Sequence, residues 1–226
     1  MRAEIHEGTG LQYVTVVPDK YTSGDSYPLM IMLHGFGANM QDLAGLAPAI
    51  NSTGYIYACP NAPIPFQLGP GQTGFGWMTP RGGGTPEETA NSVKLVGDFF
   101  DDIFNELNVM PGQAMLLGFS QGGGMTYRCG LNRADEFAGL VALSATLPDQ
   151  EELASGLPEE RNQPIFIAQG RYDQMVSEDT AHSAKAFLES NGYTPDFHLY
   201  DMGHEINNSV LQDLVPWVNK VLPPKI

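Results

Sequence analysis

Short apolar runs alternate along this chain with longer amphipathic ones. Runs such as "LMIML", "AMLLGF" and "IFIAQ" carry no polar alternation, the pattern of strands covered on both faces. Strands are predicted over residues 12–17, 29–33, 55–58, 114–119, 140–144, 165–169 and 196–200. Helical periodicity predicts helices over 40–50, 87–107, 121–132, 178–190 and 207–221. Two helix starts carry cap chemistry. "TPEE" puts Thr85 at the N-cap, Pro86 at the first helical position and Glu88 where a capping box needs it. Ser177 precedes Glu178 and Asp179 in the same manner. Alternation of strands and helices over the whole length implies one α/β domain, residues 1–226, with a mostly parallel sheet. The glycine- and proline-rich stretch 60–85 reads as a long irregular loop, a common place for function.

Composition narrows the function classes. The 226 residues are 42% hydrophobic and 16% charged, a globular balance. Net charge is −15 with only 11 lysines and arginines and no basic cluster, which excludes nucleic acid and anionic membrane surfaces as expected partners. The acidity reads as solubility, with a salt-tolerant source as a second reading. No run of 18 apolar residues is present, so no transmembrane helix is expected. "MRAEIHEGTG" lacks the apolar core of a secretory signal. Cys59 and Cys129 both lie in apolar surroundings and read as buried free thiols, as in a reducing cytoplasm.

The chemistry starts at "GFSQGG". Ser120 follows a buried strand and precedes a helix, with Gly118 and Gly122 two residues to either side. That is the context of a nucleophile elbow, a tight turn that holds a serine in strained dihedrals and pushes its hydroxyl out of the sheet. Small residues at 118 and 122 avoid collision with the neighbouring strand and helix. A serine hydroxyl needs a base, and the base needs an orienting acid. Three histidines follow Ser120: His182, His198 and His204. His182 falls in a helix and His198 in a strand, whereas His204 lies in the loop after the last strand, at the carboxyl edge where catalytic groups of parallel sheets gather. Among the acids, Asp149, Asp173 and Asp201 compete. Asp173 is preferred because a buried strand and a short loop carry it beside the final loop. The oxyanion hole is expected from the backbone N–H groups of Gln121 and Phe36, the latter in "HGFG", with His34 fixing the loop. Phe75, Trp77 and Met78 are candidates for an acyl pocket, against a plain packing role for a long loop.

Other motifs fail on context. "HEINN" opens like a zinc site, but Asn208 stands where the second histidine belongs. "GPGQTG" has dinucleotide-type glycines in a proline-rich loop, not between a strand and a helix. No cofactor or metal is expected.

"HGFGAN", "GFSQGG", "GRYDQMV" and "MGHEI", in this order and spacing, resemble the carboxylesterase/phospholipase family of α/β-hydrolases, which includes acyl-protein thioesterases and small bacterial carboxylesterases. The resemblance implies an α/β-hydrolase fold: a mostly parallel central sheet flanked by helices on both faces, without a cap domain. It implies a Ser120–His204–Asp173 triad, an oxyanion hole at Phe36 and Gln121, and hydrolysis of short- to medium-chain carboxylic esters without a metal. A homodimer is a further expectation. Two departures favour a bacterial carboxylesterase over a thioesterase. Ala38 stands where thioesterase-like members carry aspartate, and Trp77-Met78-Thr79 replaces a Trp-aromatic-Asp motif. A thioesterase or lysophospholipase, and an inactive hydrolase-fold binding protein, stay open as alternatives.

Overall fold

Apolar segments this short can satisfy their backbone only by pairing, and a computed structural model, which describes residues 1–80 and 84–226, shows how they do so. The first half of the chain gives β1 (Arg2–Glu7), β2 (Gln12–Val17), β3 (Leu29–Leu33), α1 (Met40–Ala44), α2 (Ala47–Ile50), β4 (Ile56–Pro60), β5 (Ile64–Gly69), β6 (Gln72–Gly76) and α3 (Pro86–Glu106). The second half gives β7 (Ala114–Phe119), α4 (Gln121–Gly130), β8 (Phe137–Leu143), α5 (Gln150–Ser155), β9 (Ile165–Gly170), α6 (Glu178–Ser190), β10 (Asp196–Tyr200) and α7 (Asn208–Val221). Eight strands form one sheet in the order β1-β2-β4-β3-β7-β8-β9-β10. β1 and β2 pair antiparallel, as do β2 and β4, and all later neighbours are parallel.

The central strands are apolar on both faces because both faces are covered. Leu29, Ile31 and Leu33 of β3 pack into a core with Val96 and Phe100 of α3, Met125 of α4 and Leu188 of α6. Met30 and Met32 point the other way, into a core with Leu43 of α1, Ala47 of α2 and Leu214 of α7. Carboxyl ends of β3, β7 and β9 therefore open on one edge, between two layers of helix. The loop after β10 reaches the same edge.

Four features depart from the sequence expectation. β1 was not predicted, because "RAEIHE" has no apolar face; it is an exposed edge strand held by its ladder to β2. Within the stretch read as irregular, residues 64–76 form a two-stranded hairpin that turns at Gly71, φ +74°. The expected helix 40–50 is two short ones, broken at Gly45 and restarted with a proline in the first turn of α2. α5 was also unpredicted, and Asp149 caps it by accepting from the Glu152 N–H at 2.9 Å.

The caps are partly as expected. Thr85 Oγ1 accepts from the Glu88 N–H at 3.2 Å. Glu88 does not reach back to Thr85; its carboxylate takes the N–H and hydroxyl of Thr79 instead. Ser177 sits at the N-cap of α6, but its hydroxyl pairs with Thr180 Oγ1 at 3.1 Å and caps no backbone N–H.

Candidate active site

β7 is buried for nearly its whole length and ends at Ser120, which adopts φ +55° and ψ −117° before α4 begins. A non-glycine residue at positive φ with that ψ is held by its surroundings at a cost of order 1–3 kcal/mol. The Ser120 N–H donates to Leu143 O at 2.8 Å, and the Ser120 carbonyl accepts from Gly124 N–H at 3.2 Å. A Cβ at Gly118 would collide with the Gly122 carbonyl, and one at Gly122 with the carbonyls of Leu33 and His34. Only glycine lets strand, turn and helix approach this closely. The serine hydroxyl makes no cap hydrogen bond to its own helix, so it is left for another partner.

That partner is His204. Nε2 of His204 lies 2.9 Å from Ser120 Oγ, and Nδ1 lies 2.7 Å from Asp173 Oδ2. The loops that bring the acid and the histidine together are tied across the sheet edge. Arg171 N–H donates to Tyr200 O at 2.8 Å and Tyr172 N–H to Met202 O at 3.0 Å. The Phe119 ring packs at 4.7 Å from the His204 ring and restricts its tilt.

The Asp173 side chain is fully buried. Burial pushes its carboxyl up, but hydrogen bonds from Val176 N–H, the His204 ring and Met175 N–H outweigh that, and the net displacement is below the ordinary value. A charged Asp173 places the imidazole proton on Nδ1 and leaves Nε2 as an acceptor for the serine hydroxyl.

His34 is buried and takes the loop-fixing place expected for it. Its Nδ1 lies 2.8 Å from Gly35 O, and its Nε2 accepts from Ala62 N–H at 3.1 Å. Burial holds the ring below the ordinary histidine value, against the opposing bond to Gly35. The loop after β3 is further anchored to β6: Gly37 N–H donates to Phe75 O at 2.8 Å, and Phe75 N–H to Ala38 O at 2.9 Å. Among the described residues, neither the Phe36 N–H nor the Gln121 N–H has a protein acceptor.

The competing residues are elsewhere. His182 pairs with Glu178 on α6, and His198 of β10 stacks on Phe166 of β9. Asp149 is a helix cap, and Asp201 pairs with Arg171 at the surface. Of the acyl-pocket candidates, Met78 lines a cleft of about 1030 Å³ that also holds Ser120 and Gln121. Trp77 does not line it; its ring is fully buried in the core and its Nε1–H donates to His34 O at 2.9 Å. Phe75 is half-buried and is likewise off the cleft wall.

Two glutamine side chains have roles that the sequence does not announce. The Gln121 side chain accepts from Trp77 N–H at 2.7 Å and donates to Met78 O at 2.7 Å, so the residue after Ser120 also clamps the loop beside it. Gln169, fully buried, donates to Asp173 Oδ2 at 3.1 Å and to Val176 O at 2.8 Å. A polar residue closing the apolar run "IFIAQG" was the available signal.

Comparison with known proteins gives the chain a family and a fold. The profile of the family described as phospholipase/carboxylesterase matches residues 21–222. An acyl-protein thioesterase 1 of Aspergillus fumigatus is 29% identical over 217 residues, which covers 87% of this chain and 88% of that protein. Among solved structures, esterase PE8 superposes with a TM-score of 0.82 at 21% identity, covering 95% of this chain and 100% of the other. Arabidopsis thaliana SOBER1 gives a TM-score of 0.75 at 25% identity, with 87% and 100% covered. The fold is the α/β-hydrolase fold, with no separate cap domain among the described residues.

Proposed function

The chain belongs to the phospholipase/carboxylesterase family, and on that premise we propose that it is a serine carboxylesterase acting on short- to medium-chain carboxylic esters by two-step acyl transfer. The observation that carries this reading is the unbroken chain from Ser120 Oγ through His204 to Asp173, at 2.9 and 2.7 Å, starting from a serine held at positive φ. In the first step Ser120 Oγ attacks the ester carbonyl while His204 Nε2 takes its proton. The negative charge that develops on the carbonyl oxygen faces the N–H groups of Phe36 and Gln121 and the positive end of α4. The tetrahedral species then collapses. The alcohol leaves with the proton from His204, and an acyl group stays on Ser120. In the second step water gives a proton to His204 and attacks the acyl carbon, and the acid is released as Ser120 recovers its proton. Asp173 keeps the imidazole in the working tautomer and balances its charge while it holds the extra proton.

The test is turnover of p-nitrophenyl butyrate and octanoate by the chain and by Ser120→Ala. The variant is expected to lose at least about 10⁴-fold in kcat/KM with an unchanged circular dichroism spectrum. Retention of a tenth of the activity would sink the assignment.

A thioesterase reading is favoured by the name of the Aspergillus relative. The departures at Ala38 and Thr79 weigh against it. The Thr79 hydroxyl donates to Glu88 Oε2 at 2.9 Å, so this position braces α3. Matched octanoyl ester and thioester substrates separate the two readings. A cytoplasmic setting fits the two thiols, which are free, buried and packed into the cores on opposite faces of the sheet.

A further inference from the structure

The cleft does not end at Ser120. On α4 its wall is Gln121, Gly124 and Arg128, spaced three and four residues apart and so one stripe leading away from the serine. On α3 the wall includes Ala90 and Val93. The two helices start together: Glu88 of α3 holds Thr79, next to the Trp77–Met78 backbone that Gln121 of α4 clamps. Further along, the segment just past α4 still lies against α3, where a Cβ on Gly97 would lie 3.2 Å from the Arg133 guanidinium. A groove therefore runs between them, away from the nucleophile. Gly124 keeps its floor low; a Cβ there would already meet Thr146 O at 3.0 Å.

The groove ends in charge. Arg128 Nε and Nη2 donate to the two carboxylate oxygens of Glu152 at 3.0 and 3.1 Å, and both residues line the cleft. The Arg128 side chain is 14% exposed and that of Glu152 is 51% exposed, so the pair has a wet side and a covered side. An alkyl chain reaching this point would have to strip water from the pair or break it, and both are unfavourable. Arg128 lies eight positions beyond Ser120, about 12 Å along a helix. An extended alkyl chain advances about 1.25 Å per carbon, from a C–C bond of about 1.5 Å and a near-tetrahedral angle, so the groove holds about nine or ten carbons.

We propose that the acyl chain of the substrate lies in the α3–α4 groove and that the Arg128–Glu152 ion pair is its end stop, excluding acyl chains longer than about ten carbons. This rests on Ser120 as the nucleophile. The experiment is kcat/KM for p-nitrophenyl esters with acyl chains from acetyl to tetradecanoyl, on the chain itself, Arg128→Ala and Val93→Phe. A parallel panel of octanoyl esters varies the alcohol. The unsubstituted chain is expected to prefer octanoyl or decanoyl esters and to fall off beyond. Arg128→Ala is expected to raise the tetradecanoyl-to-octanoyl ratio by up to about fourfold per carbon newly buried. Val93→Phe, which fills the groove, is expected to move the optimum to shorter chains. The end stop is overturned if Arg128→Ala leaves the ratio unchanged. The groove itself is overturned if Val93→Phe leaves the profile unchanged or if either variant alters alcohol preference instead. Labelling by a small fluorophosphonate keeps the two claims apart. A labelled Ser120 with an unmoved profile contradicts the groove alone, and an unlabelled Ser120 contradicts both.

Discussion

Asp173 accepts four hydrogen bonds at once: Met175 and Val176 N–H on Oδ1, the Gln169 amide and the His204 ring on Oδ2. A buried carboxylate is tolerable only with such partners. They also give its charge a stability consequence. Burial alone would raise its pKa, and the donors carry the net displacement downward. A carboxyl depressed in the folded state contributes stability that is fully present above its unfolded value, about 3.9, and is lost as pH falls through the lower folded value. Asp173→Asn should therefore lower the urea midpoint at pH 7, and the gap from the unsubstituted chain should shrink below about pH 4. A gap that stays constant down to pH 2 would contradict this. The same residue shows how far a sequence reading reaches. The order Ser120, Asp173, His204 and the loop positions were legible, because a parallel sheet sends its carboxyl ends to one edge. Gln169 was not, since a lone glutamine at a strand end gives no sign of which acceptor lies above it.

At the scale of elements, β7, the turn at Ser120 and α4 act as one piece. The carbonyls of Leu33 and His34 press against Gly122, so the end of β3 is packed directly on the start of α4. A methyl group at 122 must displace backbone, not a flexible side chain. Gly122→Ala is expected to cost on the order of 3 kcal/mol or more, read as a fall in Tm and in soluble yield. A variant as stable as the parent would mean that the elbow is looser than described. Strands buried on both faces were legible because their apolar runs are unbroken. β1 was hidden by exposure, since none of its residues is fully buried and its ladder to β2 is not signalled by an apolar face. The hairpin of β5 and β6 was hidden by Pro65 and by glycines at residues 69, 71, 74 and 76, which read as loop until two strands pair across Gly71.

At the scale of the molecule, Ser120 and His204 are 84 positions apart and Asp173 and His204 are 31 apart. They meet only when β7, β8, β9 and β10 stand side by side, so the site reports on the closure of half the sheet. The charge of −15 suits a neutral ester, whose approach the field neither helps nor hinders, and repels an anionic one. The cleft that runs on past Ser120 was not legible in the sequence, because its walls come from separate helices and from Met78 in a loop. The claim on which everything else stands is that Ser120 is an activated nucleophile. Intact mass after incubation with a fluorophosphonate tests it most directly, with Ser120→Ala and His204→Ala alongside. One adduct is expected, absent in Ser120→Ala and formed far more slowly in His204→Ala. Well-folded protein that gains no mass would contradict the account and leave a hydrolase fold with an idle serine.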